Sequence, residues 1–211
     1  MPRGFQIGRL FGTDILATPG FLGLLALFFW FRRENPALAA VVVMAVVVSI
    51  LIHEFGHVTA ARRLVGGRAV VLLWFMGGLC LHEPTAVPRK QFVISIMGPA
   101  FGLIGGALCL LVLFAVPGLN PLLATWLSAM WWIGLVWTGL NLLPILPLDG
   151  GQALRALLSA RRGPARADLL ARRVSVVTAA LIIPVGIYFK LTFFPVIAIM
   201  LMFQNLNRRI P

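Results

Sequence analysis

Four stretches of this chain, Ile15 to Phe31, Ala37 to Ala61, Phe92 to Val116 and Leu122 to Leu143, carry a single charged side chain between them, Glu54. About 20 consecutive apolar residues cross the roughly 30 Å hydrocarbon core of a bilayer, so each run predicts a transmembrane helix. Charged residues make up only 11% of the chain and hydrophobic ones 60%, where soluble domains carry roughly 25% charge. A soluble fold is excluded. A further apolar stretch, Val174 to Asn207, is interrupted by Pro184, Lys190 and Pro195, and reads as two short spans divided at Lys190. The expectation is an all-α polytopic membrane protein with about six transmembrane helices and termini on one side.

The formal charge of +12 fits topology better than nucleic acid, because the basic residues form no continuous stripe or aromatic-interleaved patch. With six spans, 15 of the 18 cations fall on one face, leaving Arg32, Arg33 and Lys190 opposite. The favoured face includes Arg3, Arg9, Arg62, Arg63, Arg155, Arg172, Arg208 and Arg209. The positive-inside rule makes that face cytoplasmic, termini included. Cationic residues precede the first apolar run, but no small-residue cleavage site follows Phe31, so this run reads as a retained span in the cell membrane. Cys80 and Cys109 are too few and too far apart for a disulfide framework or a metal knuckle.

Between the second and third spans, Ala69 to Phe75 and Leu79 to His82 are short apolar runs separated by Gly77 and Gly78. A Gly-Gly pair between such runs signals a hairpin turn. A small membrane-associated β-hairpin is therefore expected after the second span.

Two of the three histidines and one of the glutamates fall in five residues: His53, Glu54, Phe55, Gly56, His57. On a helix, i and i+4 share a face, so both imidazoles can address one Zn²⁺ while Glu54 projects beside its water. This is the HExxH arrangement of zinc hydrolases. Ala37 to His53 is about 24 Å of helix at 1.5 Å per residue, which sets the motif inside the bilayer, nearer its cytoplasmic face. A charged group at such depth costs about 2.5–3.5 kcal/mol; zinc binding supplies a reason to bear that cost.

A catalytic zinc takes three protein ligands and keeps one position open. Asp168 lies in an arginine-rich loop, Glu34 falls on the opposite face, and Asp14 reads as a helix-end residue. Asp149 follows Asn141-Leu-Leu-Pro-Ile-Leu-Pro-Leu, whose prolines must break the fourth span, so an extended segment brings it to about the histidines' depth. Broken backbone is tolerated there only where protein or a wet cavity surrounds it. Asp149 is the favoured third ligand, with His82 and Glu83 as alternatives. Asn141 is either a donor to the oxyanion or substrate backbone, or a tie across the broken helix. His82 reads as a partly exposed histidine with a regulatory or pocket role as its alternative. Gly98, Gly102, Gly105 and Gly106 read as small residues that let helices approach.

The HEFGH motif at His53 to His57, Gly98-Pro99-Ala100 and Asn141 to Gly150 (NLLPILPLDG) together resemble the site-2 protease family of intramembrane zinc metalloproteases, over roughly residues 40–160. The resemblance implies a three-helix catalytic core in which His53, His57 and Asp149 hold one zinc and Glu54 is general base. It implies cleavage of transmembrane protein substrates in the lipid bilayer. The hairpin at Gly77 and Gly78 would pair with an unwound substrate strand. On this reading residues 1–211 form a single integral-membrane protease domain without PDZ or CBS module, with a core at about 37–160 and flanking spans at 15–31 and 174–207. The oligomeric state is left open. A metal transporter would need polar residues along several spans, which outside the two motifs the spans almost lack; a zinc-binding scaffold without hydrolysis has no use for Glu54.

Overall fold

The computed structural model describes residues 4–191 and 193–207. Arg3, Arg208 and Arg209, used above to orient the chain, lie outside the described residues. Two compact units make up the chain: Met1–Pro84 with Met97–Thr138, and Thr85–Ile96 with Gly139–Pro211.

The first unit opens with two strands that the apolar runs concealed, β1 (Phe5–Leu10) and β2 (Thr13–Ala17). They form a hairpin over Phe11 and Gly12, whose φ values of 47° and 69° are those of a type I′ turn. In β2, Thr13, Ile15 and Ala17 are buried in alternation with half-exposed neighbours, the period-2 pattern of a strand with one covered face. Asp14 thus sits in a strand, not at a helix end, and faces Arg9 across the ladder at 3.5 Å. The expected first span loses its first residues to β2. What remains is α1 (Pro19–Phe31), 13 residues long, about 20 Å at 1.5 Å per residue and too short to cross upright.

Helix α2 (Pro36–Leu64) runs 29 residues. Asn35 caps it by accepting a hydrogen bond from the Leu38 amide at 3.2 Å, and Arg62 and Arg63 in the last turn complement the negative end of its dipole. Through α1 and α2 the chain returns to lay β3 (Ala69–Trp74) parallel to β2, and β4 (Gly77–His82) antiparallel to β3. The sheet order is β1-β2-β3-β4. A core of Ile15, Phe21, Leu24, Val46, Ile50, Val58, Val71 and Leu73 joins sheet and helices.

The expected hairpin is therefore half of a larger sheet, and its turn lies at Phe75 and Met76. Gly77 and Gly78 belong to β4. They are glycines because a Cβ at 77 would overlap the Trp137 ring and one at 78 the Glu54 carboxyl group.

Helices α3 (Pro88–Ala115) and α4 (Pro121–Asn141) are 28 and 21 residues long. Gly102, Gly106 and Gly134 bring them together: a Cβ on Gly134 would meet the Gly102 carbonyl at 2.8 Å. In the second unit, α5 (Asp149–Arg162) is an amphipathic helix where an arginine-rich loop was expected. Asp168 lies in α6 (Pro164–Tyr188), not in a loop, and bridges Arg172 at 2.5 Å and Arg155 at 3.6 Å. α6 packs against α5 and α7 (Phe193–Asn207).

The chain does break around Lys190, which has a φ of 57°, but α6 begins at Pro164 and continues through Pro184 as one long helix. Among the described residues four helices are long and apolar enough to cross a membrane, α2, α3, α4 and α6. α1 and α7 are shorter apolar helices, so the expectation of six spans is reduced to four on length.

Candidate metal centre

Helix α2 presents His53, Glu54 and His57 with 3%, 3% and 6% of their surfaces exposed. Their spacing by one turn turns both imidazoles the same way, with Nε2 atoms 3.2 Å apart and ring planes at 73°. Two nitrogens held about 2.0–2.1 Å from one tetrahedral ion stand about 3.3 Å apart, so the observed pair matches the spacing that zinc imposes. The ligand-capable atoms of His53, His57 and Asp149 all lie within 4.8 Å of one another. Two imidazoles and a carboxylate are a zinc donor set, and the residues fit the ion.

Close backbone approach shapes the surroundings. A Cβ on Gly98 of α3 would overlap the His57 ring, and one on Gly102 would come 3.5 Å from His53 Nδ1. A Cβ on Gly56 would overlap the Met97 carbonyl, so α2 and α3 touch along glycines just where the histidines need room. Thr138 of α4 donates to the Pro99 carbonyl at 3.3 Å. On the other side β4, at Gly78, lies against the Glu54 carboxyl group.

Asp149 is the first residue of α5, after Leu148 at the cap position. The backbone from Leu142 to Leu148 breaks as the prolines require, with turns closed by Ile145 N–H to Leu143 O at 2.7 Å and Leu148 N–H to Ile145 O at 2.8 Å. Gly150 and Gly151 follow because a Cβ at either would overlap the carbonyls of Leu142 or Ile145. The DGG sequence is thus a steric requirement of the folded-back loop.

Of the other expected site residues, Asn141 ends α4, half-buried, at the start of the broken segment. Gly77 packs on Trp137 and Gly78 on Glu54. His82 closes β4 opposite Ala69, with Nδ1 2.7 Å from the Glu83 carbonyl. It stands four positions along the strand from Gly78, about 13 Å, and the group that could hold a metal among the described residues contains neither His82 nor Glu83. Polar residues inside the apolar helices went unweighed in the sequence: Thr138, Ser175 and Asn205 are all buried. The cost of polar groups at membrane depth, the argument that singled out His53, marks them as well.

The sequence model of peptidase family M50 matches residues 119–185, which hold the broken segment and Asp149 but not the HEFGH motif. Rip3 of Mycobacterium tuberculosis, assigned by name to the zinc metalloproteases, is 36% identical over 144 residues, 66% of this chain and 36% of its own length. A zinc metalloprotease of Methanocaldococcus jannaschii is 31% identical over 158 residues, 73% of this chain and 45% of its own. The solved site-2 protease from Methanocaldococcus jannaschii shares the fold, with a TM-score of 0.71 at 24% identity over 99% of this chain and 97% of that one. The chain thus matches peptidase family M50 over part of its length, is similar to zinc metalloproteases, and has the fold of a site-2 protease. The chain spans less than half the length of the curated relatives it matches. The M50 match and the HEFGH motif lie in separate segments of the chain.

Proposed function

We propose that the protein is an intramembrane zinc endopeptidase that hydrolyses peptide bonds within or near transmembrane segments of membrane proteins. The observation that carries this reading is the approach of His53, His57 and Asp149 to within 4.8 Å in a chain whose described residues include four membrane-length helices. His53, His57 and Asp149 would hold one ion per chain. An ion held there would supply a Lewis acid that polarises the scissile carbonyl and makes the attacking water a stronger acid.

Glu54 would take the proton of the attacking water on its carboxylate and pass it to the departing amide nitrogen. Its position beside Gly78 puts it next to β4, which ends the sheet and offers an open edge for an extended substrate strand. Helix-breaking residues in the substrate are then required, because a closed helix hides its amides. Asn141 would donate to the oxyanion or the substrate backbone, and Gly77 and His82 would flank the strand-binding edge. The whole chain, 1–211, would act as one protease domain in the cell membrane, with the arginine-rich face and both termini in the cytoplasm.

The test is zinc per chain together with cleavage of a transmembrane reporter, for wild type, Glu54→Gln and Asp149→Ala. The expected result is full zinc and no cleavage for Glu54→Gln, and depleted zinc for Asp149→Ala. Wild-type cleavage by Glu54→Gln would remove the mechanism, and full zinc in Asp149→Ala would remove the ligand set. A scaffold that only holds clients would bind the reporter equally with either residue and cleave it with neither.

A further inference from the structure

Leu146, three residues before Asp149, is 2% exposed, and its peptide groups are taken up from two different helices. The Leu146 N–H donates to Ser175 Oγ of α6 at 2.8 Å, and its carbonyl accepts from Asn205 Nδ2 of α7 at 2.6 Å. Both side chains are anchored in turn: Ser175 Oγ donates to Ala171 O at 2.7 Å, and Asn205 Nδ2 donates to Leu201 O at 2.8 Å. Ser175 is 0% and Asn205 5% exposed.

The amide orientation of Asn205 follows from its partners. Both are carbonyl oxygens, so the NH₂ group must face them, and Oδ1 is left without a hydrogen-bond partner. A buried acceptor without a partner is costly. It is a poor arrangement for helix packing alone, for which an apolar residue of similar size serves better. The arrangement makes sense as a clamp on one peptide of a backbone that cannot satisfy itself.

Taking Asp149 as the third ligand, as proposed above, we infer that Ser175 and Asn205 are positioning residues that hold the Leu146 peptide and thereby set the Asp149 carboxylate for metal binding. Neither reaches the substrate or the ion. Their effect passes through the short run Leu146 to Leu148, which has no regular secondary structure of its own to hold it and leads directly into Asp149. Groups that orient a metal ligand typically contribute about 10–100-fold to metal affinity.

The experiment is competition of the full-length, detergent-purified protein with a zinc-selective chelator, for Asn205→Leu, Asp149→Ala and the double variant. Helix content and zinc-free melting temperature are recorded alongside. Asn205→Leu is expected to lose about 10–100-fold in zinc affinity with helix content unchanged, and to add nothing further in the Asp149→Ala background. Coupling of this kind is what a double-mutant cycle detects; a purely structural role for Asn205 would weaken zinc by the same factor in both backgrounds. Wild-type affinity in Asn205→Leu, or additive losses, overturns the inference. Should Asn205→Leu not fold, Ser175→Ala, which removes one oxygen, carries the same test with the same outcomes. Wild-type zinc affinity in Asp149→Ala would instead overturn the ligand assignment, so the two failures are told apart.

Discussion

Two glycines separate the duties of the site. A Cβ on Gly98 would enter the His57 ring and one on Gly78 the Glu54 carboxyl group, so alanine at each disturbs one function at a time. Overpacking of this kind costs about 1–3 kcal/mol. Gly98→Ala is expected to displace His57, the proposed ligand, and weaken zinc binding at least tenfold, read by chelator competition. Gly78→Ala is expected to keep zinc and lower cleavage by roughly 10²-fold, since a misplacement of about 1 Å at a reacting group has that effect. Equal zinc loss in the two variants would show that His57 and Glu54 do not respond separately, against the roles proposed for them. The histidines themselves were plain in the sequence, because i, i+4 spacing is local and helix geometry converts it directly into a shared face. The glycine contacts were not, because they depend on which helix lies against which.

At the level of elements, the N-terminal hairpin is tied to the end of α2. Arg62 donates to the Phe11 and Gly12 carbonyls at 2.8 Å each, and Phe11 packs edge-on against Phe55 at 5.8 Å. Hydrogen bonds from a charged donor contribute about 1.5–3 kcal/mol, with the low end expected at this exposed turn. Arg62→Ala should speed amide exchange in β1 and β2 and leave zinc content unchanged. Unaltered exchange would mean that the β2–β3 ladder alone holds the hairpin. The strands were misread because Ile15 to Phe31 is continuously apolar, and such a run does not by itself divide strand from helix. β2 is decided by pairing with Val70 to Leu73, residues distant in sequence. The break before Asp149, in contrast, was legible from Pro144 and Pro147, since a missing N–H disrupts a helix wherever it falls.

For the whole molecule, metal binding and stability are linked. A ligand at a hundredfold excess over its Kd stabilises the folded state by about 2.7 kcal/mol. Chelation should therefore lower the melting temperature of the wild type by several degrees, zinc should restore it, and Asp149→Ala should respond to neither. A wild-type melting curve indifferent to chelator would argue against a bound ion. The arginine-rich face makes a separate prediction. A cysteine at Ala160, exposed near the end of α5, in a background lacking Cys80 and Cys109, should react with a membrane-impermeant maleimide only after cells are opened. Labelling of intact cells would reverse the orientation.

The sequence by itself determined that this chain belongs in a membrane, that two histidines and a glutamate share one turn of its second apolar helix, and that the backbone breaks just before Asp149. Each rests on an interaction short in sequence: the hydrophobicity of a run, one turn of helix, the absent amide of proline. Tertiary structure alone decided that the first apolar run begins as a strand, that four helices reach membrane length, that Gly77 and Gly78 serve Trp137 and Glu54 instead of a turn, and that Ser175 and Asn205 hold Leu146. These depend on pairing and packing between residues far apart in the chain, where local propensity is outweighed by the need to satisfy buried backbone and to fit side chains against one another.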